Sequence, residues 1–310
     1  MEKVANEVIY KAFGFSVRSK ISLPELLIED FCGDSVDIEI GFKDLSDLWL
    51  ELSNSQGRFV MNEALVMFKV LNTAIFLIEE GRRITISPLN EYKEDEIRLY
   101  VLGSCMGAIL MQRGILPLHG SAIAINGKAY AIIGDSGAGK STLASAFLHK
   151  GYQLLTDDVI GVTFTKENEP MVIPSYPQQK LWQKSLDEFG IDNRDFRPIY
   201  QRETKFAIPI RNKFSPTPLP LAGIFELVLT EKEEIELKQI DGLARLQTLL
   251  IHTYRNSLIQ NLGLSNWHFT NSTKIINQIK MYQLRRPLNT FTANELASLI
   301  LNCVNKENEK

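Results

Sequence analysis

The stretch Gly134-Asp-Ser-Gly-Ala-Gly-Lys-Ser141 constrains this chain more than any other feature. It satisfies the spacing G-x4-G-K-[ST] without a mismatch. Ile132-Ile133 before it read as the end of an apolar strand. Residues 140–150 after it read as a helix closed by Gly151. Strand, glycine-rich turn and helix in that order place backbone N–H groups and a helix N-terminus around a phosphate. Gly134, Gly137 and Gly139 permit the tight turn. Lys140 supplies a cation for the β and γ phosphates, and Ser141 a hydroxyl for Mg²⁺. The expected ligands are ATP and Mg²⁺. The expected binding residues are Gly134, Asp135, Ser136, Gly137, Ala138, Gly139, Lys140, Ser141 and Thr142. The alternative is a glycine-rich turn with an incidental lysine.

Two further elements accompany the loop. Residues 116–125 and 128–133 read as strands flanking Asn126-Gly127, a strong hairpin signal because both turn residues take positive φ. Asp157-Asp158 follow the next apolar run, 152–156, and are expected at the strand's C-terminal end, the edge where open α/β sheets bind ligands. Two carboxylates there can hold Mg²⁺ through water and accept a proton from an attacking hydroxyl. Alone, such a pair reads as a solvated turn. His119-Gly120 stands just before the hairpin strand that feeds the loop. By itself a lone histidine is more often structural.

Composition narrows the partners. With 34 Lys+Arg against 37 Asp+Glu among 310 residues, the net charge is −3, so no general field attracts nucleic acid. Hydrophobic residues at 45% and charged residues at 23% are ordinary globular usage and argue against disorder. Cys32, Cys105 and Cys303 are far apart, with no CxxC pair, and read as thiols rather than a zinc site or a disulfide framework. The longest uncharged apolar stretch, 99–111, is too short to span a membrane, and the N-terminus lacks a signal-peptide run. A soluble, cytoplasmic protein with no membrane partner is expected.

The pattern divides the chain into a small β-rich N-terminal domain, 1–95, and an α/β domain with a helical C-terminal region, 96–310. In the first, 12–17, 35–41, two runs within 62–78 split at Asn72-Thr73, and 83–86 read as strands. Residues 94–113 carry apolar side chains at three- and four-residue steps, as a buried joining helix would, ended by Gly114. Further on, 176–189 reads as an amphipathic helix carrying Trp182, and 190–203 as a polar loop with Arg194, Arg197 and Arg202. Residues 205–210 and 223–230 read as strands, and 241–262, 270–284 and 292–304 as helices.

Together, LHGSAIAI, GDSGAGKS and LLTDDV resemble the catalytic domain of HPr kinase/phosphorylase over about residues 115–165. The resemblance implies a P-loop kinase core with His119, Lys140 and Asp158 as catalytic positions and Asp158 as proton acceptor from a serine hydroxyl. It also implies Ser141 and Asp157 at the metal. The family's later Glu-Arg-Gly motif has no clear counterpart; Arg202-Glu203 is the nearest acidic candidate. The flanks Tyr10-Lys-Ala-Phe-Gly-Phe, Ser22-Leu-Pro-Glu-Leu and Leu284-Arg-Arg-Pro resemble a branch associated with lasso peptide biosynthesis, which phosphorylates a precursor peptide's C-terminal serine. A precursor peptide or protein substrate is thus implied, and a homo-oligomer is left open. Competing readings are a kinase for an HPr-type protein or a small molecule, a nucleotide-gated ATPase or switch, and a non-catalytic peptide-binding module.

Overall fold

The computed structural model describes residues 8–30, 35–53, 58–89, 92–199 and 202–308. Cys32 lies outside the described residues. The first sheet holds β1 (Val8–Ala12), β2 (Phe15–Ser19), β3 (Leu27–Ile28), β4 (Ile38–Phe42), β5 (Phe59–Met61), β6 (Leu65–Val70), β7 (Ala74–Glu79) and β8 (Arg83–Pro88). Their order is β3-β1-β2-β4-β8-β7-β6-β5. The run 12–17, expected as one strand, is instead the turn of the β1–β2 hairpin. Phe13 and Gly14 both take positive φ there, and Phe13 is buried against Tyr176. Burial of a large aromatic side chain offsets the strain of a left-handed non-glycine residue.

One face of this sheet packs on the joining helix, and the other on α1 (Ser46–Leu52), which contributes Trp49. The joining helix runs as α2 (Glu94–Tyr100), a π-helical turn at Val101–Cys105, and α3 (Met106–Gln112). Ile97, Val101, Cys105, Ala108 and Met111 share a core with Phe76, Ile78 and Ile84, so the expected apolar stripe is the buried one. Cys105 is buried and Cys303 partly so; neither is in a disulfide.

The second sheet begins with the expected hairpin, β9 (Leu116–Ile125) and β10 (Lys128–Gly134), followed by α4 (Lys140–His149), β11 (Gln153–Phe164) and β12 (Pro170–Ile173). A three-stranded arm then departs: β13 (Gln178–Trp182), α5 (Gln183–Glu188), β14 (Arg197–Ile199) and β15 (Arg202–Pro209), in the order β13-β15-β14. The chain returns through β16 (Leu219–Thr230), β17 (Glu236–Gln239), α6 (Leu243–Ile251), α7 (Ser257–Asn261), α8 (Ser265–Gln278), β18 (Lys280–Pro287) and α9 (Ala293–Asn308). The second sheet has the order β10-β9-β11-β12-β16-β18-β17, and it curls so that β16 also pairs with β10. β10, β16 and β18 are parallel to one another, while β9 runs antiparallel to both of its neighbours, β10 and β11.

Residues 241–262 divide into α6 and α7, the expected loop 190–203 holds β14 and the start of β15, and three further expectations fail. Residues 176–189 do not form one helix. Their first part is β13, and only Gln183–Glu188 is helical, so Trp182 sits at the end of a strand. Residues 270–284 divide between α8 and β18, and β18 is a parallel partner of β16. Asp157-Asp158 do not end a strand; β11 continues six residues beyond Asp158. Among the described residues, no helix is long and apolar enough to cross a membrane.

Candidate active site

A cavity of about 1120 Å³ lies at the end of β10, and every predicted catalytic and metal residue lines it: His119, Lys140, Ser141, Asp157 and Asp158. Of the predicted loop residues, Ala138 alone is missing from the lining; it is buried beneath the loop. Gly134, Gly137 and Gly139 all have positive φ. A Cβ on Gly134 would stand 2.4 Å from the Leu227 carbonyl oxygen, so β16 can run alongside only because this position is glycine. Lys140 is buried and donates hydrogen bonds to the carbonyls of Gly134 and Asp135, each at 2.8 Å. Burial pushes its ammonium down to about 8, against the opposing pull of Asp158 and Asp157.

Register across β9 brings the carboxylates to this loop. Ile133 pairs with Gly120, and Gly120 with Asp158; Ile132 pairs with Ser121, and Ser121 with Asp157. A Cβ on Gly120 would lie 2.2 Å from the Ile132 carbonyl oxygen, which explains the glycine after His119. In a regular strand, adjacent side chains point to opposite faces. Asp158 has φ of 80°, and both carboxylates line the same cavity. The left-handed residue breaks the alternation, at a cost of about 1–3 kcal/mol that the surroundings must offset.

Asp157 is buried and fully engaged. Its Oδ1 accepts from the hydroxyls of Ser121 at 2.6 Å and Ser141 at 2.9 Å, and its Oδ2 from the Lys180 backbone N–H at 2.9 Å. Asp158 is half-buried, and its Oδ2 meets Lys180 Nζ at 2.7 Å. Burial by itself would raise the Asp158 carboxyl; the ammonium of Lys180 overrides it and holds the group well below the usual carboxylate range. Burial would likewise lower the Lys180 ammonium, and Asp158 reverses this and raises it. Lys180 therefore neutralises one of the two carboxylates.

His119 Nδ1 lies 3.1 Å from the Asp158 carbonyl oxygen, which can only accept, so Nδ1 carries the proton and Nε2 is the acceptor. Burial and the Lys140 charge lower its pKa, against the opposing pull of Asp158, and so favour the neutral ring. The backbone N–H of His119 donates to the His252 carbonyl at 2.7 Å, and His252 Nε2 pairs with Glu226 at 3.0 Å, itself held by Gln283 at 2.7 Å. Gly103 and Gly107 of the joining helix make room for Tyr254, whose ring lies 5.8 Å from that of His119.

The donor set suits a P-loop metal. Ser141 and Asp157 offer two adjacent oxygen ligands, and phosphate oxygens and water complete such a site. Among the described residues no cluster of three or more His, Cys, Asp or Glu is placed to hold a metal alone. Glu203, the acidic candidate near Arg202, is exposed and does not line the cavity, which corrects that expectation.

Gln179, Lys180, Lys205 and Arg286 of the site were not singled out from the sequence. Lys180 and Gln179 come from β13, with Gln179 Nε2 donating to the Ser141 carbonyl at 2.9 Å. Arg286 comes from β18 and donates to the Ala138 carbonyl at 2.9 Å, bracing the loop from behind; Leu284-Arg-Arg-Pro was the only signal for it. Trp182 is 40% exposed, with Lys205 Nζ 5.4 Å and the Arg202 guanidinium carbon 6.0 Å from its ring centre; all three line the cavity. Arg194 pairs with Asp192 and lies outside the cavity, whereas Arg202 is part of its lining.

No protein-family model matches the chain, and no curated protein matches it. Among solved structures, the Hpr(Ser) kinase/phosphatase from Coxiella burnetii is similar over 62% of this chain and 93% of its own, at 15% identity and a TM-score of 0.35. A likeness of that size carries no argument about the chemistry of this chain, which rests on the geometry above.

Proposed function

We propose that the chain is an ATP- and Mg²⁺-dependent kinase that transfers the γ-phosphate to a serine hydroxyl, the C-terminal serine of a lasso-type precursor peptide. One observation carries the phosphotransferase reading. A complete phosphate loop and an ionised, half-buried carboxylate that takes no part in the Ser141–Asp157 pair face one cavity. Such a carboxylate can orient an attacking hydroxyl, and the cations Arg202 and Lys205 in the same cavity suit an acceptor that carries a carboxylate rather than water alone.

The loop N–H groups and Lys140 bind and orient the phosphates. Ser141 and Asp157 would hold Mg²⁺, which supplies charge neutralisation when bound. Asp158 accepts the hydrogen bond of the incoming hydroxyl and aims its oxygen. The Lys180 charge makes Asp158 a weak base, which suits a loose transition state in which the hydroxyl gives up its proton late. Neutral His119 presents Nε2 as a hydrogen-bond acceptor on the same wall. The acceptor's identity is supported by the flanking sequence signatures and by Arg202 and Lys205, cations in the cavity suited to a terminal carboxylate.

The test is mass spectrometry of precursor peptides incubated with ATP and Mg²⁺. Peptides ending in serine gain the mass of one phosphate or more, and the alanine-ended versions do not. Equal modification of both removes the C-terminal assignment.

A further inference from the structure

A second cavity, of about 460 Å³, adjoins the first. Leu99, Lys180 and Ile199 line both, so the two are continuous along the Lys180 side chain, whose tip meets Asp158. Its walls come from three parts of the chain: Leu102 on the π-helical turn, Tyr176-Pro177 before β13, and Ala207 and Pro209 on β15. The lining is mainly apolar, and its inner charges are already satisfied. Arg98 is held by Glu25 at 2.9 Å and by Asp95, and Lys180 by Asp158. Arg197 and Arg211 are exposed at this cavity and have no carboxylate partner among the described residues, so they outnumber Asp195, the remaining acid there.

We propose that this groove binds the acceptor peptide on the segment next to the phosphorylated hydroxyl, taking an apolar side chain between Leu102, Tyr176 and Ala207 with a peptide carboxylate near Arg197 and Arg211. The inference rests on the kinase reading for the name of its occupant. Continuity with the Asp158 wall is what selects a peptide. An extended chain advances about 3.3–3.6 Å per residue, so roughly one or two residues carry it from the acceptor hydroxyl past Lys180 into the groove. A small polar acceptor would leave these apolar walls unused. The groove also gives the N-terminal sheet and its helix a role, because Pro24, Glu25 and Leu102 bound the space that the peptide enters.

The probe is a set of fluorescein-labelled peptides ending in serine, identical except that the two residues before it are leucine, phenylalanine, alanine or aspartate. Anisotropy is read with ADP and Mg²⁺ present, and phosphoryl transfer is read separately with ATP. Leucine and phenylalanine peptides are expected to bind at least about tenfold more tightly than alanine peptides, as burial of one apolar side chain gives, and aspartate peptides show whether Arg197 and Arg211 hold a carboxylate. Ala207→Trp fills the groove and abolishes the preference while ATP affinity stays the same; if that variant does not fold, Ala207→Leu is read for a weakened preference. Equal binding of all wild-type peptides, or a preference unchanged in the Ala207 variants, overturns the groove. The preference without transfer to any peptide supports the groove and overturns the kinase reading.

Discussion

Loop 134–139 meets the cavity with main-chain groups from one unbroken stretch, whereas the opposite wall gathers His119 from β9, Asp158 from β11 and Lys180 from β13. The loop depends on φ angles that three glycines allow. The wall depends on strand register, on one left-handed aspartate and on an ion pair between side chains 22 residues apart. Substitutions in the loop should therefore fail through lost phosphate binding or backbone strain. Substitutions in the wall should spare ATP and fail at the acceptor.

The largest effect is expected at the loop's cation. Lys140→Ala should lower phosphoryl transfer by about 10³-fold or more with the fold retained, as circular dichroism and a thermal melt would show. Undiminished transfer would contradict the loop's role. On the wall, Asp158→Asn should lower transfer by at least about 10²-fold while ATP affinity changes much less. Asparagine tolerates positive φ, so this variant removes the charge without adding backbone strain. Asp157→Asn should instead demand more Mg²⁺ for the same rate. A dead Asp157→Asn beside an active Asp158→Asn would reverse the two roles.

Gly120→Ala separates strand geometry from chemistry. Its Cβ would stand 2.2 Å from the Ile132 carbonyl oxygen, so about 1–3 kcal/mol of stability should be lost on urea unfolding. An unchanged midpoint would mean that β9 and β10 approach less closely than described. The smallest effect is that of pH on the loop. Lys140 is charged below about 8 and neutral above it. ATP affinity measured by calorimetry should therefore decline by up to about tenfold per pH unit above that point. The same depressed pKa makes the unfolded chain bind more protons between about 8 and the usual 10.5, so Lys140 adds stability as pH rises through that window. Affinity that stays flat through the window would place the lysine in a more exposed setting.

The same contrast sets what could be read from the sequence. The loop, the Asn126-Gly127 hairpin and α4 were legible because each is encoded by neighbouring residues. Asp157-Asp158 were legible as a pair, but their place within a long antiparallel strand was not, since pairing with β9 is a tertiary fact. β13 hid because polar Gln179 occupies an inward position and the strand passes into α5 without a glycine or proline between them. β18 hid because Met281, Leu284 and Pro287 are its buried residues, a three-residue step that continues the helical rhythm of α8. Lys180 and Arg286, which lie on those two strands, were therefore missed together.

The most direct test follows the γ-phosphate itself. Wild type and Asp158→Asn are incubated with γ-labelled ATP, Mg²⁺ and a serine-ended peptide, and label is counted on the peptide and in free phosphate. The account predicts that wild type places label mainly on the peptide and that Asp158→Asn loses this transfer while still binding ATP. Label released only to water by both proteins would contradict it, and would leave the chain a nucleotide-gated ATPase.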